Sequence, residues 1–546
     1  MKKILILMLL SFILVGCVRT NDRVVVLPDF EATPDDGKPS YEHDNEEFEF
    51  TWFVNSPSFN WSTNRTDMVS KILKEKTGAS IKFITPITDD NQLLGTMISG
   101  NKLPDVVSIQ SWYSQPSQLA SQGYVYPLDD LINKWAPSFK KIIQKDVWNW
   151  FKQGDGKTYG IPNFAYSSDY LEENEKLEPN GAILVREDWY EEVTEQGINM
   201  STKDGFKEGC EYIQNKYSKS IQVQLDNFNQ DGNNSINWLS QYFAVPFELE
   251  DGSYNYKIAD ERYLEVLDFV NDLTTQGYVK QANYSDNKSK ILNNLASGNV
   301  FVSMVTPQDY QTAFMSNFNS NIKYVPLVLR NDNGDDPVLQ DIRGMGYLFS
   351  MITTNAKRPD KIIKVFEYLY SEEGQRLVAF GEEGVTWEWE DETKTSIKWT
   401  DFYLDKFNKN DTGQFGLYQM TLLMNLAYIN PLKPENGKKE VDRYIENLKK
   451  PLKQYSYNYN PTFLKLDVES KDYNDYIRYE ARITGAWSEG LPNILRSTTK
   501  EKMKAEYNAV MKELKSKKLD FIIQFEGRSY LLAKELLGIE KGWPLY

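Results

Sequence analysis

Histidine is nearly missing: His43 is the only one, and it falls in a Pro-rich acidic stretch near the amino terminus. Ser-His-Asp and Cys-His catalysis need an imidazole held beside the nucleophile, and zinc sites usually draw on His or several thiolates, so these classes of chemistry fall away. Cysteine is almost as scarce, with Cys17 and Cys210 alone. If Cys17 carries lipid, Cys210 has no partner and no internal disulfide forms. In "FKEGCEYIQNKY" Cys210 reads as a small buried apolar residue on a helix, since no base lies near to make it a nucleophile. Basic residues are outnumbered, 62 against 78 acidic, and a net charge of −16 offers no broad positive field for phosphates, so nucleic acid is not an expected partner. The phosphate-cradling loop is missing as well: "GDGKT" at 154–158 has Phe151 where the first glycine is needed, and it reads as a Gly-Asp-Gly turn.

The apolar run from Ile4 to Val15, behind Lys2 and Lys3, is shorter than the roughly 20 residues that span a bilayer and has the length of a signal-peptide core. Gly16 directly before Cys17 resembles a bacterial lipobox, which implies cleavage before Cys17 and acylation of its thiol. Residues 1–16 are then a lipoprotein signal peptide, and 17–47, Pro-rich and acidic, a flexible tether. Aromatic side chains, in contrast, are abundant, with 34 Tyr, 27 Phe and 13 Trp; most should fill cores with wet polar tips, and some should line a binding surface.

Two constellations retain possible chemistry. Glycosidases run on paired carboxylates alone, so Glu382 or Glu383 in "GEEG" keeps a surface glycoside hydrolase open as an alternative. "NFNQDGNNS", from Asn227 to Ser235, alternates like a calcium loop but places Trp238 at position 12, where the bidentate Glu belongs, and no metal or other cofactor is expected. "GVTWEWE" alternates Val385, Trp387 and Trp389 against Thr386, Glu388 and Glu390, and "SIKWT" returns with Ile397 and Trp399. That pattern predicts a hairpin whose tryptophans pack on a lobe and whose acids face water; a sugar-stacking platform is the other reading.

Along the chain, "FEFTWFVN", a helical pattern through Met68, Ile72 and Leu73, and "ASIKFI" predict a β-α-β unit with parallel strands; "NQLLGTMISGNKLPDVVSI" adds a helix and a strand. Helices near 202–217 and 260–276 with a strand at Ile221–Leu225 suggest a second unit, and the length exceeds the roughly 250 to 300 residues of one core. The expected division is 48–165 in lobe 1, 166–294 in lobe 2, 295–340 back in lobe 1, and 341–546 in lobe 2 with a hinge strand and a helical C-terminal extension.

The order of "TDMVSKILKEKTGASIKF", "MISGNKLPDVVSI", "GYVYPLDDLINKWAPSFKKI", "DGKTYGIP", "AILVREDWY", "NAKRPDKIIKVFEYLYSEEGQRLVAFGEEGVTWEWED" and "YNDYIRYEARITGAW" resembles the type 1 extracellular solute-binding lipoproteins of bacterial ABC importers, in the large Gram-positive branch that takes up oligosaccharides. The resemblance implies an α/β, two-lobe periplasmic-binding-protein-like fold of type II, each lobe a mostly parallel sheet flanked by helices, with the ligand cleft between. It implies a non-catalytic monomer on the outer face of the cytoplasmic membrane, held there by lipid only, that passes an oligosaccharide to the transmembrane subunits of a permease. A peptide-binding or sensor role on the same fold is the alternative. Calcium does not carry over, because the loop many relatives hold is degenerate here.

Ligands of open sheets sit beyond the carboxyl ends of strands. Trp61 follows the first strand, Trp112 and Tyr113 follow "DVVSI", Tyr166 follows "YGIP", and Trp238 follows "IQVQL". With these aromatic candidates go Asn55, Gln110 and Asn229, and Arg343 beside Tyr347 in the expected hinge strand, as partners for sugar hydroxyls.

Overall fold

Strand Phe48–Val54 pairs in parallel with Ala79–Ile84 on one side and Val106–Gln110 on the other, as the β-α-β pattern predicts. The crossover helix Met68–Thr77 forms because Val69, Leu73 and Thr77 share one buried face, Asp67 accepts the Ser70 N–H at 2.8 Å, and Gly78, at φ +73°, ends it. These elements belong to a computed structural model that describes residues 25–57, 59, 61, 66–87, 92–172, 175–229, 232–468 and 470–545. The expected signal peptide and Cys17 lie outside the described residues.

Strand Leu348–Ile352 enters this first sheet antiparallel, between Val106–Gln110 and Ile161–Pro162. A second sheet runs in the order Tyr324–Pro326, Leu184–Arg186, Val300–Met304, Ile221–Leu225, and only the last pair is parallel. Each sheet has its own hydrophobic core. The expected partition is therefore corrected at two places. Val300–Met304 pairs in the second sheet, so 295–340 is part of lobe 2 and not a return to lobe 1. Leu348–Ile352 and the helices Pro359–Tyr370 and Glu372–Phe380 build the lobe 1 core, so 341–546 is not all lobe 2. Periodicity specifies a strand, but its sheet partner is a non-local choice that both lobes offer equally well.

Between the sheets the chain crosses three times, and short pairings stitch the crossings together: Leu339–Gln340 lies parallel to Ser456–Tyr457, and Pro179 bridges Asp341. Helices Tyr473–Leu495 and Leu519–Leu537, with Lys500–Ser516 between them, add Tyr476, Trp487 and Phe525 to the lobe 2 core, the expected helical extension.

The described part of the expected tether, 25–47, is a docked arm. Thr33 N–H donates to Lys134 O at 3.0 Å, Tyr41 is buried with its ring 5.0 Å from that of Tyr368, and Lys361 bonds both Asp44 and Glu46. The acidic run that suggested a solvated linker finds cations on lobe 1, and its few apolar side chains find its surface. The tryptophan hairpin forms as predicted, with Trp387 opposite Trp399 and Trp389 opposite Ile397. Trp387 and Ile397 are buried in the lobe 1 core. Glu388 pairs with Lys398 at 3.1 Å on the wet side. Thr386, expected on that side, is buried instead, because its hydroxyl donates to Phe380 O and closes the end of helix Glu372–Phe380.

Candidate functional site

Every residue of Val106–Gln110 is buried, and the chain must turn at its carboxyl end. Ser111 fixes that turn: its N–H donates to Tyr347 O at 2.9 Å and its hydroxyl to Gly346 O at 3.0 Å. Gly346 has φ +102°, and a Cβ there would lie 2.4 Å from the Pro162 side chain, so only glycine lets this crossing press against residue 162. The consequence is an aromatic cluster that the core cannot absorb. Trp112 is 60% exposed, with its ring 5.2 Å from Tyr347 and 6.0 Å from Tyr113. Behind it, Asn55 Nδ2 donates to Gln110 Oε1 and Gln110 Nε2 to Asn55 O, both at 2.8 Å, so two buried amides brace the ends of neighbouring strands.

This cluster opens on a cavity of about 880 Å³. Lobe 1 gives it Trp112, Tyr113, Trp150, Phe151 and Phe349; Gly344, Met345 and Gly346 come from the crossing. The facing wall is Phe463, Lys465, Tyr473, Ile477 and Leu536, from segment 463–468 and the C-terminal helices that pack on lobe 2. The cavity thus lies between parts that belong to different lobes. Lys465 bridges them, its ammonium donating to Trp150 O and, at 3.0 Å, to Lys152 O, at the carboxyl end of helix Lys145–Trp150. Burial pulls its pKa down to about 8. The predicted Gly-Asp-Gly turn is present, with Gln153 N–H on Lys157 O at 2.9 Å, and it forms part of the rim.

Of the sequence candidates, the structure brings together Asn55, Gln110, Trp112, Tyr113 and Tyr347. Tyr166 and Arg343 stand at the crossing beside them. Tyr166 is buried, its N–H on Gly344 O and its hydroxyl accepting from Asn430 Nδ2 at 2.8 Å. Arg343 is clamped by Asp341 at 2.7 Å and by Glu175 O. Burial raises Asp341 to about 6 even with that guanidinium beside it.

The others lie apart from this cluster. Trp61 packs at 5.7 Å on Phe59 and Phe83, at the flank of the lobe 1 core. Trp238 is buried in lobe 2, its Nε1 donating to Thr306 at 3.3 Å and its ring laid over Gly181, where a Cβ would come within 2.1 Å. Asn229 is exposed on the small hairpin beyond Ile221–Leu225. In the suspected calcium loop, Asn233 caps helix Asn234–Tyr242, and among the described residues no cluster of His, Cys, Asp or Glu could hold a metal. Glu382 and Glu383 are exposed in a turn and line neither that cavity nor a smaller one in lobe 2.

Sequence reading missed Trp150, Phe151, Phe463, Lys465, Ile477 and Leu536. The run "WNWFKQGDG" held a signal, two aromatics directly before a turn. The C-terminal wall held none, because which face of a helix meets another lobe is not written in its period.

The family model for bacterial extracellular solute-binding proteins matches residues 68–381. A fructooligosaccharide ABC transporter substrate-binding protein, FusA, of Streptococcus pneumoniae serotype 4 is 22% identical over 233 residues, which are 39% of this chain and 41% of FusA. The match thus spans about two fifths of that relative's length. Among solved structures, FusA of S. pneumoniae in complex with kestose is similar at a TM-score of 0.68 and 17% identity, over 89% of this chain and 100% of that one. An extracellular solute-binding protein from Bifidobacterium longum subsp. infantis gives 0.67 at 13% identity, over 92% and 99%. The alginate-binding protein AlgQ2 without calcium gives 0.64 at 16%, over 90% and 100%. These likenesses show the fold, a type II periplasmic-binding-protein-like arrangement of two α/β lobes.

Proposed function

The chain belongs to the bacterial extracellular solute-binding protein family, and from that premise we propose that it captures an oligosaccharide between its lobes and delivers it to an ABC permease without altering it. The family and the structural neighbours are binding proteins. The observation that carries the reading is Trp112, largely exposed and set against Tyr347 at the mouth of a cavity whose walls come from both lobes. A sugar ring offers C–H patches to such aromatic faces and hydroxyls to the polar rim, here Ser111, Asn149 and Gln153. About 880 Å³ suits a ligand of several rings. Closure around the ligand supplies the signal, since a permease distinguishes lobe positions only if ligand favours one of them.

The lipid at Cys17 places this receptor on the outer face of the cytoplasmic membrane as a monomer. Seven residues, and so eight Cα-to-Cα steps, separate that cysteine from Val25, which packs against the lobe 1 core. Fully extended, they reach at most about 28 Å, so the anchor holds lobe 1 close to the bilayer.

The test is thermal unfolding and small-angle scattering of the purified protein with kestose, longer fructooligosaccharides and a panel of other oligosaccharides, followed by chromatography of the recovered sugar. At least one should raise the unfolding midpoint, compact the protein and come back intact. Shortened chains in the recovered fraction, or no response to any carbohydrate, would sink the reading.

A further inference from the structure

On the other face of segment 459–464 lies a second hollow of about 210 Å³. Tyr459 and Thr462 line it, the next two residues, Phe463 and Leu464, line the large cavity, and no residue lines both. Its remaining walls are lobe 2 and the crossing strand: Asn237 and Gln241 from helix Asn234–Tyr242, Tyr254, Tyr256 and Lys257 from the loop after it, and Gln340. At about 30 Å³ per water the volume is worth roughly seven waters, the size of a single six-membered sugar ring with its substituents.

Lys257 is the unusual member. Its partly buried ammonium donates to Asn237 Oδ1, and no described carboxylate pairs with it. Burial alone moves its pKa, down to about 8. An ammonium has three donors, and a desolvated charge is costly until it meets an opposite one. The nearby acids are engaged elsewhere: Asp260 accepts from Asn255 at 2.8 Å and from Arg262 N–H, and Glu526 accepts from Tyr254 and Tyr476. The Tyr256 hydroxyl and the Gln340 side-chain amide, which share the hollow, make no hydrogen bond to any described residue. The rings of Phe247, Tyr254, Tyr256 and Tyr459 supply flat apolar surface. A cation with spare donors, two uncommitted polar groups and aromatic faces in a one-ring space make a complementary set for one kind of guest.

We propose that this hollow is a second binding site, for a single carboxylate-bearing sugar ring of hexuronate size, with the carboxylate on Lys257 and ring hydroxyls on Tyr256 and Gln340. The site is independent of the large cavity. Isothermal titration at low ionic strength with D-glucuronate and D-galacturonate, against D-glucose, D-galactose and acetate, tests it. The uronates should bind at least tenfold more tightly than the neutral sugars and acetate. Lys257→Met should weaken them at least tenfold with an unchanged unfolding midpoint, and Trp112→Ala should leave them unaffected, which separates this site from the larger one. Equal binding of uronate and neutral sugar, acetate as tight as uronate, no uronate binding, or wild-type affinity in Lys257→Met would overturn the proposal. Should Lys257→Met fail to fold, Tyr256→Phe takes its place: it removes a hydroxyl with no described partner, so uronate affinity should fall threefold or more at unchanged stability, and unchanged affinity would overturn the site.

Discussion

Trp112 shows how a single side chain can be read for function: an exposed indole on a rigid strand end contributes little to folding and has area to offer a ligand. Trp112→Ala should weaken oligosaccharide binding about 30-fold, a loss of about 2 kcal/mol, as at other aromatic anchors. Its unfolding free energy should change by no more than about 0.5 kcal/mol. Titration calorimetry and urea unfolding separate the two quantities, and a stability loss without an affinity loss would return Trp112 to the scaffold.

Glu526 is the opposite case, a buried carboxyl whose pKa burial raises to about 7, with Glu480 adding to the rise and the hydroxyls of Tyr254 and Tyr476 opposing it. A folded pKa above the unfolded value of 4.5 means that the native state holds the extra proton between these limits. Stability contributed by this group is therefore full below about pH 4.5 and is lost as pH rises toward 7, by up to about 3 kcal/mol. Glu526→Gln should match the wild type in acid and unfold at higher temperature at pH 8; equal midpoints at both pH values would refute the assignment. At this scale the strand-end rule proposed Trp112 and Tyr113 together; Trp112 is exposed, while Tyr113 is half-buried against the lobe 1 core. The rule could not tell them from Trp238, because whether a residue after a strand faces water depends on a backbone such as Gly181 lying close enough to accept the ring.

At the level of elements, the arm 25–47 is the clearest departure from a reading by composition. Proline and acids predict a linker only where no cation and no apolar groove meet them; here Lys361 and Arg358 stand ready, and Ser40 enters a buried network. Ser40 N–H donates to Ser138 Oγ at 2.7 Å, and Ser138 donates in turn to Glu367 Oε1. Ser138→Ala deletes the shorter bond from the Ser40 N–H, which keeps only its 3.3 Å contact to Glu367 Oε1, together with the hydroxyl that donates to that carboxylate, and it should cost about 1 to 3 kcal/mol in urea unfolding. Amide exchange at Thr33 and Ser40 should run at least tenfold slower than in the free peptide, and exchange at the unprotected rate would restore the tether. The hairpin at 387–399, in contrast, was legible in its pairing though not at Thr386, since a period of two over so short a turn leaves one pairing that buries Trp387 and Ile397 together.

For the whole molecule the question is what holds the lobes at their present separation. Two lobes and several crossings were legible from repeated β/α units, but the allocation of segments was not, because strand pairing in both directions joins stretches far apart in sequence. The contacts between the lobes at the cavity are equally non-local: Ala533 and Leu537 of helix Leu519–Leu537 pack on lobe 1, and Lys465, on the segment leading into the lobe 2 helices, reaches the carbonyl oxygens of Trp150 and Lys152. Its donors also find the carboxyl end of a helix, where a cation is favoured. Bonds from a partly buried charge are worth up to about 1.5 to 3 kcal/mol each, enough to bias a domain equilibrium whose states differ by a few kcal/mol. Lys465→Met keeps the aliphatic stem and deletes both bonds. If Lys465 latches the lobes, the ligand-free variant should show a larger radius of gyration by scattering and bind oligosaccharide more weakly, since closure must then be driven without it. If Lys465 serves only folding, the unfolding midpoint will fall while the radius of the native state and the affinity stay as they are.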